Sequence, residues 1–239
     1  FREVLTVYDF DGDGRKEIIP HGDLPRKDVL ILGVSFDYPG FASIYIEGGK
    51  PGEQTNGGDW GAGGSFWNAT PADINGDGKL EIVNHTWNNY GFWSIAVNGV
   101  DDYTYPEATD YADAIAKGAY HEYESVDAVS YFGVIAVDVD GDGKDEIVGT
   151  QYQNSHNLAM ISFPETVDPV YAWTEESQTE NYSILFESSE IAALAGFSAA
   201  ELWPVVKGDL NQDGKEEIYT GGGKGLNLVA IQYKGEGDI

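Results

Sequence analysis

The chain has 239 residues, 41% of them hydrophobic, and a formal net charge of −28 at pH 7. So much negative charge argues against nucleic acid or anionic lipid as partners, and no run approaches the roughly 18 apolar residues of a membrane span, so no membrane insertion is expected. With no cysteine, disulfides can neither stabilise the fold nor report its compartment.

The chain opens at Phe1 with neither Met nor a signal sequence, which predicts a processed or truncated product. Short β-branched and aromatic runs then predict strands near 3–8, 17–21, 28–36 and 41–47. Gly48 to Gly64 holds eight glycines around Trp60 and reads as a connection too polar for a core. Further strands are expected near 65–72, 81–87, 92–98 and 101–105, followed by a short helix over Thr109–Lys117 ended by Gly118. The third set falls near 131–137, 146–152, 157–163 and 169–174. A second helical insertion is expected at Ser188–Ala195, ended by Gly196, with a capping box at Ser198-Ala199-Ala200-Glu201. The last set has only three strands, near 202–208, 217–221 and 226–233, and six residues remain after it.

Between the first two strands of every set lies the same acidic loop. It reads Asp9-Phe10-Asp11-Gly12-Asp13-Gly14-Arg15-Lys16-Glu17 and recurs from Asp73, Asp138 and Asp209, at spacings of 64, 65 and 71 residues. Four in-phase copies mark a repeat architecture, where one copy would pass for a solvated acidic turn. Oxygen side chains occupy positions 1, 3, 5 and 9: Asp9, Asp11, Asp13 and Glu17; Asp73, Asn75, Asp77 and Glu81; Asp138, Asp140, Asp142 and Glu146; Asp209, Asn211, Asp213 and Glu217. A hard divalent cation collects six or more such oxygens from a short arc, with a glycine at position 6 for the sharp turn, and the expected ion is calcium, four per chain. Position 7 holds Arg15, Lys79, Lys144 and Lys215. There the backbone carbonyl is the expected ligand and the basic side chain points outward.

An EF-hand loop starts in the same way but ends in a bidentate Glu at position 12 and is flanked by helices. Position 12 here is Pro20, Asn84, Gly149 and Thr220, and the flanks are strand-like. The pattern D-x-[DN]-x-D-G-x-x-E-I between strands resembles the FG-GAP or VCBS-type repeat of integrin α-subunit heads and many secreted bacterial proteins. The resemblance covers all four repeats. It implies an all-β fold, a four-bladed β-propeller with a calcium loop in each blade and short helical insertions, spanning 1–239 as a single domain with blades near 1–63, 64–128, 129–200 and 201–239. The calcium loops point to an extracellular or cell-surface location, because such sites fill at the high free calcium found outside cells.

Catalytic patterns are weak by comparison. Gly221-Gly222-Gly223-Lys224-Gly225 lacks the spacing of a phosphate loop, and His21, His85, His121 and His156 are scattered. The run Asn84 to Trp93 mixes amides with aromatic rings, which suits either a sugar platform or strand aromatics packed between blades. Asn68, Asn84 and Asn181 each begin an N-glycosylation triplet. The sequence therefore reads as a non-enzymatic adhesion, recognition or self-assembly module with a glycan or protein ligand. The incomplete last blade offers a route to a homo-oligomer or filament. The alternative is a polysaccharide-active enzyme or lectin-like domain.

Overall fold

The structure, a computed structural model, describes residues 4–21, 30–38, 41–48, 66–86, 91–123, 129–151, 156–175, 181–196, 201–223 and 228–232. Among them are sixteen strands and two helices. The strands form four antiparallel sheets, the blades of a four-bladed β-propeller. The chain divides into two compact units. One comprises Phe1–Asp73, Asp77–Glu122 and Val167–Glu175; the other comprises Ile74–Gly76, Tyr123–Thr166 and Glu176–Ile239.

In the first unit, blade 1 is the meander β1 (Val4–Tyr8), β2 (Glu17–His21), β3 (Ile31–Tyr38) and β4 (Phe41–Gly48). Blade 2 is β5 (Phe66–Ala72), β6 (Glu81–Thr86), β7 (Gly91–Gly99) and β8 (Asp102–Thr104), with β9 (His121–Glu122) paired to the start of β7. These strands lie where the β-branched runs place them. The two blades meet through Thr6, whose hydroxyl donates to the Ala69 carbonyl (3.1 Å) and accepts from the Ala69 amide (3.2 Å).

Helix α1 (Tyr111–Lys117) starts from Asp110, whose side chain accepts from the Asp113 amide, and ends at Gly118 with φ 72°. Gly118 is demanded twice over, by that left-handed backbone and because a Cβ there would sit 2.6 Å from the Tyr171 carbonyl oxygen.

The second unit holds blade 3, β10 (Val129–Val137), β11 (Glu146–Gln151), β12 (Leu158–Ile161) and β13 (Tyr182–Phe186). Helix α2 (Ser188–Ala195) follows, as the sequence predicts. Blade 4 is β14 (Glu201–Gly208), β15 (Glu217–Gly223) and β16 (Leu228–Ile231), three strands among the described residues. Val137, Val148, Leu158, Ile191, Leu202, Val205, Ile218 and Ile231 form one buried cluster across the two blades and α2. The Thr150 hydroxyl adds a bond of 2.7 Å to the Trp203 carbonyl.

Two expectations are corrected. The fourth strand of blade 3 is Tyr182–Phe186, not 169–174. The Asp168-Pro169 pair turns the chain instead: the Asp168 carboxylate accepts from the Val170 amide (3.0 Å) and its carbonyl from the Tyr171 amide (3.0 Å). Trp173 is thereby carried into the first unit, where its ring stacks on Phe92 (5.1 Å), its indole N–H donates to Ser94 Oγ (2.9 Å) and its amide donates to the Gly118 carbonyl (2.9 Å). The second correction is Glu201, which opens β14 rather than closing a capping box; Ser198 to Ala200 lie outside the described residues, as does the glycine-rich connection beyond Gly48.

Trp173→Ala is expected to cost about 3–5 kcal/mol of stability, since it empties a fully buried aromatic site and removes the indole donor to Ser94. Leu194→Ala, at a side chain 86% exposed, should stay within about 0.5 kcal/mol of the parent. Urea unfolding of the two variants measures this, and equal midpoints would contradict the placement of 167–175.

Candidate metal centres

Every acidic loop leaves a first strand and enters a second, so each blade holds its loop between two hydrogen-bonded anchors. In loop 1 the two oxygens of Asp9 accept from the amides of Gly12 (2.9 Å) and Gly14 (3.0 Å), Asp11 from Asp13 (3.1 Å) and Asp13 from Arg15 (2.6 Å). Gly12 and Gly14 both sit at positive φ, 76° and 87°, where a side chain is strained. This winding turns the carboxylates inward: Asp9, Asp11, Asp13 and Glu17 each offer an oxygen within 4.8 Å of the others.

Glu17 closes the ring from below. It is buried, and its Oε2 accepts from the Phe10 amide at 2.7 Å. Burial pushes its carboxyl up to about 7 against that hydrogen bond, and the nearby Asp11, Glu47 and Asp9 charges push it further in the same direction.

Loop 3 repeats the arrangement. Asp138 accepts from Gly141 (2.7 Å) and Gly143 (3.1 Å), and buried Glu146 accepts from the Val139 amide (2.7 Å). Burial raises the Glu146 carboxyl to about 8, again against the backbone bond. Asp138, Asp140 and Glu146 converge, whereas Asp142 is held by the Lys144 ammonium at 2.8 Å. Lys144 therefore does not simply point outward: it also donates to the carbonyls of Phe163 (3.1 Å) and Pro164 (3.3 Å), staying close enough to the loop to claim one carboxylate oxygen.

In loop 4, Asp209, Asp213 and Glu217 converge. Gln212 takes the place of the position-4 glycine at φ 61°, and the Asn211 amide donates to Glu217 Oε1 (2.7 Å) and Asp213 Oδ2 (3.2 Å). Lys215 contributes its amide to Asp213 (2.9 Å).

Loop 2 keeps the backbone pattern, with Asp73 accepting from Asp77 (3.1 Å) and Gly78 (2.8 Å) and Asp77 from Lys79 (2.9 Å). The Lys79 ammonium is drawn off to the Asn98 carbonyl (3.0 Å). Asn75 is half-buried at position 3 and Glu81 is buried, but Asp73, Asp77 and Glu81 do not form a convergent group of the kind found in the other three loops.

These donor sets suit a hard divalent cation: all-oxygen and three or four carboxylates deep, with a buried glutamate in each. Three loops gather at least three acidic ligands, so several acidic groups can hold a metal ion.

Sequence reasoning missed the helpers, which arrive from distant segments. The Asp101 amide and the Tyr103 hydroxyl donate to Asp11 Oδ2 at 2.9 and 3.4 Å, and Asp11, Glu47 and Asp101 form a second acidic group beside loop 1. In loop 4 the Gln232 amide donates to Asp213 (2.6 Å) and Glu217 (3.1 Å), and it is the leading cause of the lowered Asp213 carboxyl. No pattern in the sequence marks Glu47, Asp101 or Gln232.

The other candidates fare differently. Asn84, His85, Thr86, Phe92 and Trp93 are all buried, so the described part of the aromatic run is core; 87–90 lie outside the described residues. Burial also closes the Asn84 triplet to glycan attachment in the folded chain.

Compared with protein-family models and with curated proteins, the chain matches none.

Proton linkage gives a test on the metal-free chain. A carboxyl raised from 4.5 to about 7 in Glu17 or about 8 in Glu146 stabilises the fold fully below the unfolded value, and that contribution is lost as pH rises through the folded one. In excess chelator the melting temperature should fall between pH 5 and 8, and Glu146→Gln should flatten the upper part of the fall. A melting temperature that rises over this range would contradict the burial of these groups.

Proposed function

We propose that the chain is an extracellular, calcium-stabilised β-propeller of the FG-GAP or VCBS type, acting as an adhesion, recognition or assembly module. The observation that carries this reading is loop 1, where Asp9, Asp11, Asp13 and buried Glu17 converge on one point from a glycine-wound turn. Oxygen-only ligation by a short flexible arc selects calcium over zinc, which prefers nitrogen and sulfur, and over magnesium, which holds near-ideal octahedral geometry and keeps its waters.

The cation's role in this reading is structural. Each loop joins the first two strands of its blade, so neutralising its acids removes repulsion at the point where the blade begins. Loops 1, 3 and 4 bind more tightly and loop 2 most weakly, because its acids do not converge. Self-association through the last blade accounts for the assembly role.

Calcium should raise the melting temperature and excess chelator should lower it; a site filled to 100 times its dissociation constant contributes about 2.7 kcal/mol. Asp11→Ala should remove one calcium from the total found by elemental analysis after dialysis, whereas Lys215→Ala, which lends only its backbone, should remove none. A melting curve indifferent to chelator, or equal calcium loss in both variants, would contradict the reading.

A further inference from the structure

Blade 2 reaches into the acidic loop of blade 1. Strands β7 and β8 pair Gly99 with Asp102 and are joined by the two-residue turn Val100-Asp101. Asp101 takes φ 55° there, in the left-handed region that aspartate enters more readily than most residues with a side chain. In that conformation its amide donates to Asp11 Oδ2 at 2.9 Å. The Tyr103 hydroxyl points at the same oxygen from 3.4 Å. The other oxygen, Oδ1, accepts from the Asp13 amide (3.1 Å). Asp11 is thus gripped from both sides, by its own loop and by the neighbouring blade.

The hairpin is itself braced. The Asn98 side-chain amide donates to Thr104 Oγ1 (2.9 Å) and Asp102 Oδ1 (3.3 Å), and the Asn98 carbonyl accepts from the Lys79 ammonium of loop 2 (3.0 Å). Half-buried Tyr103 lies against the end of β4, so close that a Cβ on Gly48 would come within 3.0 Å of its ring. One force opposes this docking. Asp11, Glu47 and Asp101 bring carboxylate oxygens within 4.8 Å of one another, and like charges at that range repel.

We propose that the β7–β8 hairpin is the outer part of the loop 1 calcium site, with Asp101 and Tyr103 as positioning residues for Asp11, and that filling the loop locks blade 2 onto blade 1. The proposal rests on the calcium reading above. Donors fixed on the outer oxygen of Asp11 hold the rotamer that turns it toward Asp9, Asp13 and Glu17, and outer partners of this kind are worth about 10–100-fold in metal affinity. Linkage makes the effect reciprocal. Whatever factor the docked hairpin adds to calcium affinity, calcium adds to the docking of the hairpin, since its charge cancels the repulsion that opposes the contact.

Amide NMR of the full chain tests this loop by loop. In a calcium titration, Gly12 and Gly14 report loop 1, and Gly141 and Gly143 report loop 3. Tyr103→Phe should raise the loop 1 dissociation constant about tenfold and leave loop 3 unchanged. Asn98→Ala, which loosens the hairpin without touching loop 1, should shift loop 1 in the same direction. Asp101→Asn keeps the donating amide and should stay within about threefold of the parent. Hydrogen exchange at the Asp101 amide should slow about tenfold when calcium is added to the parent, and should not respond in Asp11→Ala.

Equal loop 1 titrations in the parent and Tyr103→Phe would overturn the proposal. So would Asp101 exchange that ignores calcium while Gly12 and Gly14 respond to it. A loss in Asp101→Asn as large as in Tyr103→Phe would do the same, because Asp101 would then act through its charge. Equal weakening of loops 1 and 3 would also overturn it, as the mark of a general loss of stability. If no loop responded to calcium, the metal reading itself would fall, and this proposal with it.

Discussion

A carboxylate taken out of water must find hydrogen-bond donors or a cation, and four glutamates of this chain face that demand at equivalent places. Glu17, Glu81, Glu146 and Glu217 each open the second strand of a blade and are buried there. In loops 1, 3 and 4 the glutamate accepts the amide of the position-2 residue, Phe10, Val139 or Leu210. That bond ties the strand's start to the loop's start, and the remaining acids are wound around it by glycines at positive φ. One donor does not balance a buried charge surrounded by like charges, which is why the Glu17 and Glu146 carboxyls sit so far above the ordinary carboxylate range. A divalent cation at the convergence point would resolve the imbalance and complete the loop in the same step.

Loops 1, 3 and 4 hold their acid clusters in different ways. Loop 1 recruits a backbone amide and a tyrosine hydroxyl from the β7–β8 hairpin, loop 3 uses a lysine on Asp142, and loop 4 uses the side-chain amides of Asn211 and Gln232. These partners set how much of each acid cluster is already committed before a metal arrives. Loop 1 keeps all four carboxylates together; loop 3 gives one to Lys144. Similar motifs thus hold acid clusters that differ in how many carboxylates they keep together, and residues outside the motif set part of the difference.

Much of this was legible in the sequence because its signals are local. A loop that fixes its own turn by glycine and its own ligands by spacing needs no distant contact to declare itself, and β-branched runs beside it mark the strands. The fourth strand of blade 3 was not legible: Val170-Tyr171-Ala172-Trp173 has strand composition, but Asp168 and Pro169 impose a turn, and burial of Trp173 against Phe92 overrides propensity. The same holds for Gln232, Glu47 and Asp101, single polar residues whose importance comes from where the fold carries them.

The central claim is that the convergence point of loop 1 is a calcium site on which the blade is built. X-ray diffraction from crystals grown with calcium, collected where calcium scatters anomalously, tests it most directly. The account predicts an anomalous peak bounded by Asp9, Asp11, Asp13, the Arg15 carbonyl and Glu17 at roughly 2.3–2.6 Å from the ligand oxygens. A folded blade 1 with only water at that point, at saturating calcium, would contradict it.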